Sequence, residues 1–209
     1  MTPSEVLPVH LTFDDGPDPE GTCRVLDALH EAEARATFFV VAPLARREPA
    51  LISAVLDAGH QVELHCTEHV RHTDRTRKEI EADTEAALAD LHALGVRPRL
   101  WRPPWGIVAP WTPEIARSYG LELALWTIDP HDWRGDSSGE MLAHIEPRIE
   151  PGAVVLLHDG LGPGALRTGC VETVALIPTL VDSIRARGFE PAPMAEAITA
   201  RPKTERASA

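Results

Sequence analysis

Thr12-Phe13-Asp14-Asp15-Gly16-Pro17 closes an apolar run that starts at Val9. The run reads as a short buried strand, ended by a glycine turn. Neighbouring residues on a strand point to opposite faces, but a turn at its end lets both carboxylates aim at one place. Two anions that close are costly unless a cation lies between them. The pair therefore predicts a metal, with one carboxylate as ligand and the other free to act as a base. Asp-Asp-Gly is also common solvated turn chemistry, so the rest of the chain has to decide.

Four further stretches decide it. His65-Cys66-Thr67-Glu68-His69 sets two histidines four residues apart, a spacing that predicts two imidazoles on one face of a helical turn. Arg102-Pro103-Pro104-Trp105-Gly106 follows, then Asp129-Pro130-His131-Asp132-Trp133. Last comes the apolar run Val154-Val155-Leu156-Leu157, which ends in His158-Asp159. Each polar group falls at or just past the C-terminal end of an apolar run, where parallel α/β proteins build their active sites.

Strand and helix patterns alternate along the whole chain. Strands are expected over 9–13, 36–41, 61–64, 100–101, 121–126 and 153–157, with a seventh starting at Phe189. Helices are expected over 22–34, 49–58, 75–94, 112–119, 138–149 and 171–187, several stopped by a glycine (Gly59, Gly95, Gly120, Gly188). Such alternation predicts an α/β fold with a parallel sheet and helices outside. An open doubly wound sheet and a barrel satisfy it equally. A single domain is expected over residues 5–200, with 201–209 as a disordered tail.

The chain has 209 residues and a formal net charge of −12, which disfavours nucleic acid or an anionic surface as partner. Its apolar runs are too short to span a bilayer. Met1-Thr2-Pro3-Ser4-Glu5 lacks the basic start of an export signal. Cys23, Cys66 and Cys170 are odd in number and widely spaced, as expected of free thiols. A cytoplasmic location is expected.

In their order, Thr-Phe-Asp-Asp-Gly, His-x3-His, Arg-Pro-Pro-Trp, Asp-Trp and Leu-Leu-His resemble the motifs of the polysaccharide deacetylase family, over roughly Val6 to Ile198. That family contains chitin-oligosaccharide, chitin, xylan and peptidoglycan deacetylases. The resemblance implies a distorted barrel of seven β/α repeats. It implies Asp15, His65 and His69 as metal ligands, Asp14 as the base and His158 as the acid that protonates the leaving group. Imidazole and carboxylate ligands with open positions suit zinc, with cobalt or nickel as alternatives. Arg102 is expected to pair with Asp14, and Asp132 to hydrogen-bond His158. Trp133 and Leu156 are expected to line the acyl pocket, Trp105 to form a substrate wall and His131 to contact substrate. Trp101 and Trp126, both within apparent strands, are expected in the core.

One departure is Cys66, where the family usually has Ser or Thr. It reads as a small buried residue, with a spurious metal ligand or an oxidation target as the alternatives. The expected activity is removal of acetyl groups from the nitrogen of a soluble amino sugar or small conjugate. O-deacetylation of a carbohydrate uses the same metal chemistry. A binding relic would be expected to lack Asp14 or His158. Iron oxygenases share the ligand set of two histidines and one carboxylate, on an all-β scaffold unlike this chain.

Overall fold

The computed structural model describes residues 7–194, so the expected tail at 201–209 lies outside the described residues. Its strands are β1 (Leu7–Asp14), β2 (Thr37–Val41), β3 (Gln61–Cys66), β4 (Leu100–Trp101), β5 (Glu122–Leu123), β6 (Val154–His158) and β7 (Phe189–Pro191). The helices are α1 (Gly21–Glu31), α2 (Ala42–Arg47), α3 (Pro49–Asp57), α4 (Arg77–Ala93), α5 (Thr112–Ser118), α6 (Ser138–Ile145) and α7 (Val171–Ala186). Among the described residues no helix is long and apolar enough to cross a membrane.

All strand pairs are parallel, in the order β5-β4-β3-β2-β1-β6, with β7 beside the N-terminal part of β1. This is the distorted seven-stranded barrel. The sheet does not close between β5 and β6. Beyond β5, Thr127 and Ile128 bond to β6 across the gap, Ile128 in a bridge with Val155, so the barrel is split at one seam among the described residues.

Period-two alternation sorts the side chains of each strand. Val9, Leu11 and Phe13 of β1 join Phe38, Val40, Leu64, Val155 and Leu157 in the large core beneath the helices. The opposite face looks into the barrel. There Phe39, Leu100 and Ala124 form a small second cluster, beside buried Val154 and Leu156 of β6 and a set of polar groups that includes Thr12, Asp14, Glu63, His65 and Arg102. The Glu63 carboxylate accepts both the Arg99 and Leu100 N–H groups at 2.7 Å, which pins the two-residue strand β4. Burial pushes Glu63 up to about 7 despite those bonds.

Local chemistry explains where elements differ from expectation. Helix α4 begins at Arg77 rather than Arg75, because Thr76 and Glu79 form a reciprocal capping box. Helix α1 stops at Glu31, short of Ala34, and Glu33 takes a left-handed φ of 50° just past its end. Helix α6 ends at Ile145 and gives way to a tight turn at Glu146–Arg148 around Pro147. Helix α2 was not expected. It starts with Pro43 in its first turn, a position proline favours, and it is too short for a periodic signal. The fifth strand covers only Glu122–Leu123 instead of 121–126. Beyond it the backbone leaves the sheet until the bridge at Ile128.

Trp101 is in the core, as expected, at 1% exposure. Its indole N–H donates to the His65 carbonyl at 3.0 Å. Trp101→Ala should destabilise by about 3–5 kcal/mol, the usual loss for a buried aromatic. Trp101→Phe should cost roughly 1–3 kcal/mol, for the carbonyl left unpaired. Urea unfolding measures both; equal losses would mean that the hydrogen bond carries the whole effect.

Candidate active site and metal centre

The loops at the C-terminal ends of the strands surround one cavity of about 300 Å³, lined by Asp14, Asp15, His65, His69, Trp105, Trp126, Asp129, Trp133, Leu156 and His158, with the loop after β6. Backbone strain concentrates at this end. Asp15, Trp105 and His131 have left-handed φ values of 73°, 54° and 61°, a conformation unfavourable for side chains other than glycine. At Asp15 it turns the chain so that successive carboxylates reach the same cavity.

His65 and His69 do not lie on a helical turn. His65 is in β3 and His69 is in the loop beyond it. Asp83 of α4 holds that loop, its carboxylate accepting the Thr67 and Glu68 N–H groups at 3.1 and 2.8 Å. The two rings are 5.1 Å apart. Each Nε2 approaches Asp15 Oδ1, at 3.3 Å from His65 and 3.1 Å from His69. Ligand atoms of these three residues lie within 4.8 Å of one another. The His65 Nδ1–H donates to the Arg102 carbonyl at 2.6 Å, which turns the Nε2 lone pair to the centre. His65 Nε2 and Asp15 Oδ1 are buried without a hydrogen-bond partner, so these donor atoms fit a divalent cation. Burial pushes Asp15 up, but with no cation bound the two imidazoles, when protonated, override it and hold the carboxyl well below the usual range.

Arg102, fully buried, donates through Nη1 to Asp14 Oδ1 and to Thr12 Oγ1, both at 2.8 Å, and through Nε to the Ala124 carbonyl at 2.9 Å. Its charge also lies over the Phe39 ring, 4.0 Å from the centroid. Asp14 and His158 are register partners on adjacent strands. His158 Nδ1–H donates to Asp132 Oδ1 at 2.7 Å, and the His158 backbone N–H to Oδ2 at 3.0 Å. Burial lowers the His158 pKa, but Asp132, with Asp14 and Asp15 beyond it, pushes it up to about 9. Burial raises Asp132, and His158 and Arg167 bring it below the usual range.

Trp105, Trp133 and Leu156 line the cavity, and the Trp105 ring meets the His69 ring edge-on at 4.2 Å. His131 is not among the lining residues. Its left-handed backbone sends its ring to the Asp129 carboxylate, 3.1 Å away, and toward His144. Trp126, expected in the core, is half-buried and lines the cavity, because its strand ends three residues earlier. Cys66 is buried, burial pushes its thiol far up, and it is not among the ligand atoms grouped with Asp15, His65 and His69. Sequence reasoning also missed Asp129, visible only as part of its motif, and Arg167, which no local pattern marks. The Gly160–Gly164 stretch forms one wall, where a Cβ at Gly162 would land on the Asp15 carboxylate.

The polysaccharide deacetylase profile matches residues 3–124. A chitooligosaccharide deacetylase of Bradyrhizobium is 35% identical over 199 residues, covering 89% of this chain and 88% of that one. A peptidoglycan-N-acetylglucosamine deacetylase of Bacillus cereus is 31% identical, covering 87% and 83%. The family 4 carbohydrate esterase of Streptomyces lividans, solved in complex with acetate, superposes with a TM-score of 0.82 at 28% identity, covering 97% of both chains. This chain belongs to the polysaccharide deacetylase family.

The raised His158 pKa has a measurable consequence in chelator-treated protein. The folded value of about 9 lies above the ordinary 6.5. His158 therefore favours the folded state fully below about pH 6.5, and that contribution is lost as pH rises through about 9. Tm should fall more steeply between these limits for the wild type than for His158→Gln. Parallel Tm–pH curves would remove His158 as the cause.

Proposed function

We propose that the protein is a metal-dependent deacetylase that removes acetyl groups from the nitrogen of an amino sugar. The observation that carries this reading is one cavity with three kinds of group in it. Asp15, His65 and His69 converge as metal ligands. Asp14 is oriented by Arg102, and His158 by Asp132. Zinc suits this donor set, with cobalt or nickel as alternatives.

A divalent cation held by Asp15, His65 and His69 would supply Lewis-acid polarisation of the acetyl carbonyl and a more acidic water. Arg102 occupies Asp14 Oδ1 and leaves Oδ2 to take the water's proton. Asp132 holds the Nδ1–H of His158, so that Nε2–H is the proton available to the leaving nitrogen as the C–N bond breaks. The products are acetate and a free amine. Trp133 and Leu156 shape the acetyl end of the cavity, and Trp105 and Trp126 offer ring faces to a sugar. A soluble acetylated sugar or short conjugate is the proposed substrate. The three free cysteines suit a reducing, cytoplasmic setting.

Acetate release from zinc-loaded protein, over N-acetylglucosamine monomers, oligomers and peptidoglycan, tests the reading. A higher kcat/KM on peptidoglycan than on short soluble sugars would overturn the substrate preference. His69→Ala should lose bound zinc and activity together; full zinc occupancy by elemental analysis would remove His69 from the ligand set. Asp14→Asn should keep zinc and fold yet lose about 10²–10⁴-fold in kcat, the range for a positioned proton carrier. Near wild-type turnover would mean that another group is the base.

A further inference from the structure

The loop that leaves β6 carries a second buried arginine, Arg167, to which the chemistry above gives no task. Its side chain is 6% exposed and lines the cavity. Nη2 donates to the carbonyls of His158 at 2.8 Å and Gly160 at 3.0 Å. Nη1 donates to the Gly169 carbonyl at 3.1 Å and to Thr173 Oγ1 at 2.8 Å. Thr173 Oγ1 is in turn 2.8 Å from Asp132 Oδ2. A guanidinium cannot accept a hydrogen bond, so the one hydroxyl proton of Thr173 must point at Asp132. The donor directions are thereby forced: Arg167 donates to Thr173 and Thr173 donates to Asp132, which also accepts from the His158 ring.

The aim of the His158 imidazole depends on two anchors. One is the backbone at the end of β6, and the other is the Asp132 carboxylate. The same guanidinium holds both, the first through the His158 carbonyl and the second through Thr173. Its charge is also 3.8 Å from Asp132 Oδ2.

We propose that Arg167, acting through Thr173 and the His158 carbonyl, is the positioning residue that directs the His158 imidazole at the leaving group. The proposal rests on His158 being the acid of the deacetylation. Misplacing a reacting group by about 1 Å can cost on the order of 10²-fold, which is the scale available to such a residue.

An amide and an aryl ester separate this role from general support of the fold. The amide nitrogen leaves with the C–N electron pair and needs the proton from Nε2. A 4-nitrophenolate carries its electron pair away unprotonated. Wild type, Arg167→Lys and Thr173→Val, each zinc-loaded, are compared on an N-acetylated chitooligosaccharide and on 4-nitrophenyl acetate. Lysine keeps the charge but cannot serve both anchors, and valine keeps the shape of threonine without its hydroxyl. On the amide, kcat should fall about 10- to 100-fold for Arg167→Lys and roughly 3- to 10-fold for Thr173→Val, fractions of what a whole acid supplies. KM and the metal-dependent ester rate should stay within about twofold, because neither depends on the proton. Equal losses on both substrates, or no loss on the amide, overturn the proposal. If Arg167→Lys does not fold, Thr173→Val decides.

A second readout does not need turnover. The hydrogen-bonded Nδ1–H of His158, assigned by its loss in His158→Gln, should shift or broaden in proton NMR spectra of the folded variants. An unchanged resonance overturns the proposal. If the wild type releases acetate from no amide, the deacetylase reading is what fails, and the resonance still tests the positioning.

Discussion

A positive charge sealed inside the barrel organises this molecule. Arg102 is fully buried, and removing one partner of such a pair typically costs about 3–5 kcal/mol, because the other charge is left without compensation. Its guanidinium touches β1 through Thr12 and Asp14, and the chain after β5 through the Ala124 carbonyl. Its own N–H and carbonyl bond to Leu64 and His65 on β3. One residue thus ties the proposed base, a proposed ligand and three parts of the sheet. Burial lowers the Arg102 pKa, with Asp14 opposing, and the Phe39 face replaces some of the lost hydration. The carboxylate offsets part of the cost of burying this arginine, and the Thr12 hydroxyl, the Ala124 carbonyl and the Phe39 ring supply the rest, so the stability of the barrel and the geometry of the site share one residue.

The polar barrel interior follows from the same constraint. A barrel of parallel strands usually fills its centre with branched apolar side chains. Here the inner face holds a small apolar cluster of Phe39, Leu100 and Ala124, with Val154 and Leu156 of β6 also buried, and the large core lies between strands and helices. The inner face is left to groups that hold one another by hydrogen bonds. The split between β5 and β6, spanned by the bonds of Thr127 and Ile128 to β6, opens the wall where Trp126 and Asp129 meet the cavity. The irregular backbone at this end is part of how the site is made, and its cost is met by the regular core below.

The cavity also has an electrostatic symmetry. Each carboxylate assigned to proton transfer or its support has a buried arginine beside it, Arg102 at Asp14 and Arg167 near Asp132. Asp15 has none; its neighbours are the two imidazoles. A carboxylate whose neighbours are imidazoles can share a cation with them, whereas one held by a guanidinium is already compensated. That difference supports the proposed division of labour between adjacent Asp14 and Asp15.

The sequence alone located the residues from which the site is built. Metal ligands, bases and acids need particular residue types at strand ends, and strand ends can be read from where apolar runs stop. That located Asp14, Asp15, His65, His69, Arg102, Asp132 and His158 and the α/β class, and the ordered motifs carried the family. Local periodicity could not choose a barrel over an open sheet, because the choice lies in pairings between distant segments. Arg102 stands 88 positions from the aspartate it orients. Only the tertiary structure showed that His65 and His69 meet through a strand end and a loop, that His131 turns to Asp129, and that Trp126 leaves the core for the cavity. Arg167 was invisible in the sequence, since a lone arginine in a glycine-rich loop has no pattern until the fold brings the His158 carbonyl and Thr173 to it.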